Sequence, residues 1–409
     1  MGSYIRARAG HPTGREILFL PWVSSEKDGS LNDTPMSAKP KVIDLFCGAG
    51  GFTLASWQAG FECVAGFDTS EVLSSRFSDN FPKSTFIKCD LQSAEVSEVL
   101  RSAGLETQEI DGIVGGPPCQ GFSWIGRRQS DDPRNTLIHH FFRLVSGIKP
   151  RFFVMENVPG ILHKPFSVRL KRELVRMSDC YSMLGPLLLD SADFGAATRR
   201  QRVLIIGIDS RYVDPIAKDD LVERFVPTKS TVRDAIHDLP EPVLMNEKNS
   251  HGWAGYSRGP FADEKGLFAR KARTAPPAYL GSPVAREFLA KGLVSGFQYT
   301  EHTQEVVKRF DSVPAGGTDS ISRFPRLDWD EQCPTLRAGT GPENGSFQSV
   351  RPIHPTCNRV ITVREAARLQ GFPDWFQFHP TKWHSFRMIG NSVNSQMATE
   401  ILTAIRTRL

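Results

Sequence analysis

The sequence predicts a doubly wound, mostly parallel α/β sheet interrupted by an irregular, partly β insertion, and three observations carry that prediction. Short β-prone runs recur at 41–46, 63–67, 85–89, 113–114, 152–155 and 203–207, spaced by helical stretches and glycine turns, which is the rhythm of βαβ units and a parallel sheet. These runs end repeatedly in an acid or a glycine turn, so polar chemistry collects at one edge of the sheet. The rhythm stops near residue 211 and resumes near 357. Residues 41–210 plus 357–409 are therefore expected to form one domain and 211–356 a second domain inserted into it, with 1–40 as a flexible N-terminal arm.

The first run, 41–46, opens into Cys47-Gly48-Ala49-Gly50-Gly51-Phe52 and a helix that stops at the C-capping Gly60. Strand, glycine turn and helix begin a nucleotide-type unit, although the spacing is not Gly-x-Gly-x-x-Gly. The second run ends in Asp68, placed to accept hydrogen bonds from ribose hydroxyls, and the third ends in Asp90. Either acid alone would serve equally as a helix cap. Taken together on one edge, they favour an adenosine-like ligand.

The fourth run, Ile113-Val114, stops abruptly at Gly115-Gly116-Pro117-Pro118-Cys119-Gln120-Gly121. Two prolines fix φ and stiffen the turn beneath a single cysteine. A thiol on a rigid turn after a strand suits a nucleophile, and suits a small buried cysteine equally well. The stretch 123–134 is polar and irregular, with adjacent Arg127 and Arg128. It fits a loop that closes over a phosphate backbone or a plain solvated loop. A helix over 136–146 then feeds the run 152–155, which ends in Glu156-Asn157-Val158. The run at 203–207 follows Arg199-Arg200-Gln201-Arg202. Beyond 211 the chain is rich in proline, glycine and scattered aromatics, and its acids and bases balance. The regular pattern returns as a helix between the N-cap Thr362 and the stop at Gly371, and Gly390 to Asn394 is expected to open a last helix running to about 406.

The totals bound the function. The 409 residues carry a net charge of +5, with 40% hydrophobic and 23% charged residues, an ordinary balance for a soluble globular chain. Mild basicity is compatible with a nucleic-acid partner. No run approaches the ~18 apolar residues of a membrane span, so no membrane partner is expected. The seven cysteines are scattered with no Cys-x-x-Cys pair, which argues against a metal site or disulfide framework and for a reducing interior. There is no charged-then-apolar leader, and a cytoplasmic location is expected.

Six motifs stand in order: Asp44-Leu45-Phe46-Cys47-Gly48-Ala49-Gly50-Gly51, Pro117-Pro118-Cys119-Gln120-Gly121-Phe122-Ser123, Glu156-Asn157-Val158, Arg200-x-Arg202, the run from Arg364 to Asp374, and Gly390-Asn391-Ser392-Val393. In these, over roughly 41–407, the chain resembles the bacterial DNA cytosine-5 methyltransferases. The resemblance implies the Rossmann-like fold of S-adenosylmethionine-dependent methyltransferases, with S-adenosyl-L-methionine as cofactor and double-stranded DNA as partner. It also implies transfer of a methyl group to carbon-5 of a flipped-out cytosine.

By the same resemblance Cys119 is the nucleophile, Glu156 the acid at cytosine N3, and Arg200 and Arg202 hold the cytosine O2 and orient that acid. Asp44, Phe46, Gly48, Gly50, Gly51, Asp68, Asp90, Pro118, Asn391 and Ser392 match cofactor positions. Ser123, Arg127, Arg128 and Arg134 fall in the loop that closes on DNA, and Thr335-Leu336 match a Thr-Leu pair near the end of the target-recognition insert. Three positions depart from the pattern: Thr198 stands where the family has Gln, Asp68 where it usually has Glu, and Thr69 where an aromatic often flanks the adenine. The expected protein acts as a monomer near the nucleoid, as a restriction-modification enzyme beside a cognate endonuclease or as an orphan methylase. The rival readings are a tRNA cytosine methyltransferase, whose usual Cys-Phe-Thr signature is missing, and a catalytically silent DNA-binding subunit, against which the intact Cys119, Glu156 and Arg202 speak.

Overall fold

A computed structural model describes residues 39–106, 109–118, 137–244, 251–256, 266–339 and 351–409. Residues 39–409 form one compact unit. The proposed arm and the loop residues Ser123, Arg127, Arg128 and Arg134, together with Cys119 itself, lie outside the described residues.

Seven strands build one sheet: β1 (Lys41–Leu45), β2 (Glu62–Asp68), β3 (Thr85–Lys88), β4 (Gly112–Gly115), β5 (Phe152–Asn157), β6 (Ser182–Asp190) and β7 (Gln201–Ile208). Their spatial order is β3-β2-β1-β4-β5-β7-β6. The strands from β3 to β5 are parallel, and β7 runs antiparallel to both β5 and β6. Alternation along each strand explains the two cores. Val42, Val114, Val154, Leu204 and Ile206 face one side, where the helices Gly51–Gln58 and Ser395–Arg406 lie. Ile43, Leu45, Ile113, Phe153, Met155, Val203 and Ile205 face the other, against the helices Leu137–Ile148 and Phe166–Met177. The predicted strands are found to within two residues or so at each end. Strand β6 was not foreseen, because Gly185-Pro186 breaks its alternation and shifts the register between Leu184 and Leu187.

In the inserted stretch the described helices are short, from five residues in Lys218–Val222 to eight in Gln304–Asp311. The paired strands Ala254–Gly255 and Leu293–Val294 have two residues each. Such elements have no long period to read, which is why the sequence looked irregular there. Charge joins this stretch to the helix Val363–Leu369. The fully buried Arg368 reaches Asp374 at 2.6 Å and Asp238 at 3.1 Å, and Arg364 donates to the Ser295 carbonyl at 2.9 Å. As expected, Thr362 caps that helix, accepting from the Glu365 amide in a capping box, and Gly371 leaves it at φ 90°.

The chain near 390 differs from expectation. Gly390 and Asn391 close a preceding helix, Lys382–Asn391, and Ser392 is its C-cap. The last helix starts at Ser395, with the Asn394 side chain accepting from the Met397 amide. The reason is local: Phe386, Met388 and Ile389 bury an apolar face before Gly390, and Asn394 is the better N-cap.

Candidate active site and cofactor cleft

The carboxyl ends of β1, β2, β4 and β5 lie side by side, because Leu45 pairs with both Phe67 and Gly115, and Gly115 pairs with Met155. The reversal of β7 then brings its first residues to the same edge, setting Leu204 against Glu156 and Val203 against Asn157. Glu156 is thereby faced by Arg202, whose Nε lies 2.6 Å from Glu156 Oε1 with both side chains nearly buried. The contact is an ion pair, and among the described residues Glu156 Oε1 accepts no hydrogen bond. Arg202 Nη1 is held by the Gln201 carbonyl at 2.7 Å.

The turn leading to Cys119 is fastened to the same place. Asn157 Nδ2 donates to the Pro117 carbonyl at 3.0 Å, and its Oδ1 accepts from the Val158 amide at 2.9 Å. A side chain at Gly116 would begin only 3.4 Å from Glu156 Oε2. Gly116, just before the Pro117-Pro118 turn, therefore lies beside the Glu156 carboxylate, and Pro118 is half-buried. Asn157 was missed as a site residue, although a polar amide ending the wholly buried run Phe152–Asn157 was a readable signal.

Arg200 is placed differently from Arg202. Its guanidinium donates to the carbonyls of Leu336 at 3.1 Å, Gly390 at 2.8 Å and Ser392 at 2.8 Å. Burial and the neighbouring Arg202 push its pKa down, and Glu156 opposes them. Thr335 and Leu336 lie against the same run: Thr335 Oγ1 donates to the Arg199 carbonyl at 2.6 Å, and the Leu336 side chain is buried. Thr198 is buried as well, donating through Oγ1 to the Cys333 carbonyl at 3.1 Å.

On the other side of the sheet centre, the turn after β1 is bent by left-handed backbone at Phe46 (φ 62°), Gly48 (φ 52°) and Gly50 (φ 89°). For phenylalanine that conformation costs on the order of 1 kcal/mol, strain of the kind concentrated at ligand sites. Asp68, at the end of β2, accepts from the Gly48 amide at 2.9 Å and the Ser70 amide at 2.8 Å, and burial raises its pKa. Asp90 is exposed, with one oxygen accepting from the Gln92 amide at 3.0 Å. Asp44 is buried, and its Oδ2 takes both the amide and the hydroxyl of Thr53, at 3.0 and 2.7 Å. Burial pushes its pKa up to about 7. Ser392 lies against the first residue of the Gly51–Gln58 helix, since a Cβ on Gly51 would fall 2.2 Å from its Oγ. Asn391 is exposed next to it.

These residues fit a nucleoside with a charged amino-acid tail. A Cβ on Gly48 would meet no atom of the described residues within 4 Å, so the turn is open to them on that side. Among the described residues Asp44 Oδ1 and Ser392 Oγ are buried without a partner, and each Asp68 oxygen accepts one hydrogen bond and keeps a lone pair for a hydroxyl.

Comparison with known proteins decides the family. A model for the C-5 cytosine-specific DNA methylases matches residues 40–407. The chain belongs to that family. This methylase is 38% identical over 380 residues to the Type II methyltransferase M.XorII of Xanthomonas oryzae pv. oryzae, covering 90% of this chain and 86% of the relative. It is 30% identical to M.DdeI of Desulfomicrobium norvegicum, covering 89% and 88% of the two chains. A prophage-encoded E. coli protein described as a DNA modification methyltransferase superposes with a TM-score of 0.79 at 38% identity, over 90% of this chain and 99% of that one. The Dnmt2 methyltransferase of S. pombe shares the fold, with a TM-score of 0.59 at 16% identity, over 90% of this chain and 99% of that one. The protein is thus a DNA (cytosine-5) methyltransferase related to Type II restriction-modification methylases. Its family and fold imply use of S-adenosylmethionine. Among the described residues, no helix is long and apolar enough to cross a membrane.

Proposed function

We propose that this methylase modifies a cytosine flipped out of a specific duplex sequence, through a covalent adduct to Cys119. The observation that carries this reading is the Glu156–Arg202 pair at the end of β5, where the next residue, Asn157, bonds to the Pro117 carbonyl of the turn that leads to Cys119. Cytosine carbon-5 is a poor nucleophile until the ring becomes enamine-like. The Cys119 thiolate adds to carbon-6, a C–S bond forms, and the electrons of the 5,6 double bond shift toward carbon-5. Glu156 hydrogen-bonds or protonates N3, and Arg202 takes O2 while fixing the acid. When bound, S-adenosylmethionine supplies a methyl group on a positively charged sulfur. Once carbon-5 carries the methyl group, loss of its proton to water re-forms the double bond and expels Cys119 as thiolate, while any proton given to N3 returns to Glu156. No histidine is needed beside the sulfur, because the target is a soft ring carbon activated from the Glu156 side.

Asp68 would hold the ribose hydroxyls and Asp90 the adenine amino group. Phe46 with Gly48, Gly50 and Gly51 would line the turn along the adenine and methionine, Asn391 and Ser392 the carboxylate end, and Pro118 the reacting side. Asp44 would act mainly by fixing the Gly51–Gln58 helix through Thr53. Residues 211–356 would read bases in the major groove, ending at Thr335-Leu336. Ser123, Arg127, Arg128 and Arg134 would close on the phosphates behind the flipped base. We further propose a cytoplasmic, nucleoid-associated monomer, paired with an endonuclease of the same specificity or acting alone.

Incubation with methyl-labelled S-adenosylmethionine and either duplex DNA or tRNA tests the reading. Label on carbon-5 of DNA cytosine is expected, and label confined to tRNA would overturn it. Bisulfite mapping of host DNA gives the recognition site. Cys119→Ser should abolish transfer and leave cofactor binding intact; loss of both would make Cys119 structural.

A further inference from the structure

Arg200 is 1% exposed, and its hydrogen bonds go to main-chain carbonyls of two segments remote in sequence. On one side is Leu336, at the end of a run that adds to the 197–199 segment like a short strand: Cys333 donates to the Ala197 carbonyl at 2.8 Å and Arg199 to the Cys333 carbonyl at 2.9 Å. On the other side are Gly390 and Ser392, at the carboxyl end of the helix Lys382–Asn391, where exposed carbonyls and the helix dipole favour a cation. Arginine suits this joint because its planar fork can serve several acceptors from one position, which lysine cannot do.

Both segments continue into direct contacts. A Cβ on Gly390 would fall 2.4 Å from the Ala338 amide nitrogen, so the chain just beyond Leu336 lies flat on that helix end. Two residues on, Ser392 and Val393 lie against Gly51, with a Cβ there 2.2 Å from Ser392 Oγ and 2.9 Å from Val393 Cγ1. Gln370 Nε2 also donates to the Ser392 carbonyl, at 3.1 Å. A continuous backbone path therefore runs from Leu336–Ala338 through Gly390–Val393 to the glycine turn, with one guanidinium at its crossing.

We infer that Arg200 is a positioning residue that couples engagement of DNA by the 333–338 segment to retention of the cofactor by the Gly48–Gly51 turn. The inference rests on the functional reading above, in which the insert meets DNA and the glycine turn meets the cofactor. Coupling of this kind is reciprocal: whatever factor duplex DNA applies to cofactor affinity, the cofactor applies to DNA affinity.

The test uses the full chain and S-adenosylhomocysteine as an unreactive probe, titrated by calorimetry with and without a duplex carrying the mapped methylation site. In the native protein the duplex should tighten binding by about 5- to 150-fold. Arg200→Met should bring that ratio close to one, with duplex-free affinity changed by less than about threefold, and Arg200→Lys should restore part of it. A native ratio of one, or a native-like ratio in Arg200→Met, overturns the inference. If circular dichroism shows Arg200→Met to be unfolded, Gly390→Ala loads the same joint from the Ala338 side with Arg200 in place. A lowered ratio there supports the coupling, and an unchanged ratio overturns it. Failure of the underlying reading would register separately, as absence of methyl transfer to any duplex by the native protein.

Discussion

Asn157→Ala separates positioning from mere stability at this site. The Asn157 amide is 3% exposed and joins the turn before Cys119 to the strand end bearing Glu156. Truncation leaves the buried Pro117 carbonyl without its donor, a penalty of about 1–3 kcal/mol. If that energy is lost as misalignment of the thiol and the acid, it corresponds to about 5- to 150-fold in rate, comparable with the roughly 100-fold cost of a 1 Å displacement of reacting groups. Single-turnover methyl transfer at saturating DNA and cofactor reads the chemical step, and a parallel urea titration reads stability. The rate should fall within that range, while affinity for S-adenosylhomocysteine changes by less than about threefold. Asn157→Asp should be worse than the alanine variant, since a carboxylate still accepts from Val158 but faces the Pro117 oxygen with nothing to donate. A destabilised Asn157→Ala enzyme whose single-turnover rate stays within about twofold of native would refute the reasoning, because the amide would then only brace the fold.

Three further perturbations bear on other parts of the structure. Glu156→Gln keeps the side-chain shape but cannot give up a proton at N3, so kcat should drop by roughly 10²- to 10⁴-fold; a near-native kcat would remove Glu156 from the acid role. Asp44 has a folded pKa raised to about 7 from an ordinary 3.8. Its contribution to stability is therefore fully present below about pH 4 and lost as pH rises through 7, up to about 4 kcal/mol in all. Asp44→Asn should gain stability relative to the native protein between pH 5 and pH 8 in urea titrations, and a pH-independent difference would contradict the assignment. Arg368→Met strands the buried Asp374 and weakens the hold on Asp238, which should cost about 3–5 kcal/mol of unfolding free energy; a loss below about 1 kcal/mol would show that the network relaxes around the gap.

Legibility followed periodicity. In β1 and β5 the apolar residues alternate between the two cores, so the strands and the acids at their ends could be read directly. Strand β6 and the inserted helices could not, because a Gly-Pro break and elements of eight residues or fewer carry too little period. At the site, motif position located Glu156 and Arg202, which the fold brings together. The same kind of reading located Arg200 but gave no direction for its guanidinium, since three main-chain acceptors leave no trace in side-chain identity. Asn157 went unassigned because a buried amide reads alike as strand terminator or as cross-link.

The reversal of β7 has a bearing on how new specificities arise. By running backwards, β7 delivers Arg202 to the reactive edge and then carries the chain to the opposite edge, where Asp209 donates to the Arg151 carbonyl at 2.8 Å. The stretch after 209 thus departs from the far side of the sheet and meets the reactive edge again at Val226, which donates to the Asp193 carbonyl at 2.8 Å, and at Cys333, beside Ala197 and Arg199. Departure and return are each fixed by main-chain hydrogen bonds, which any sequence can supply. If residues 211–356 read the bases as proposed, a foreign module spliced in with its junctions between 209 and 333 would leave the main-chain seams at both residues in place.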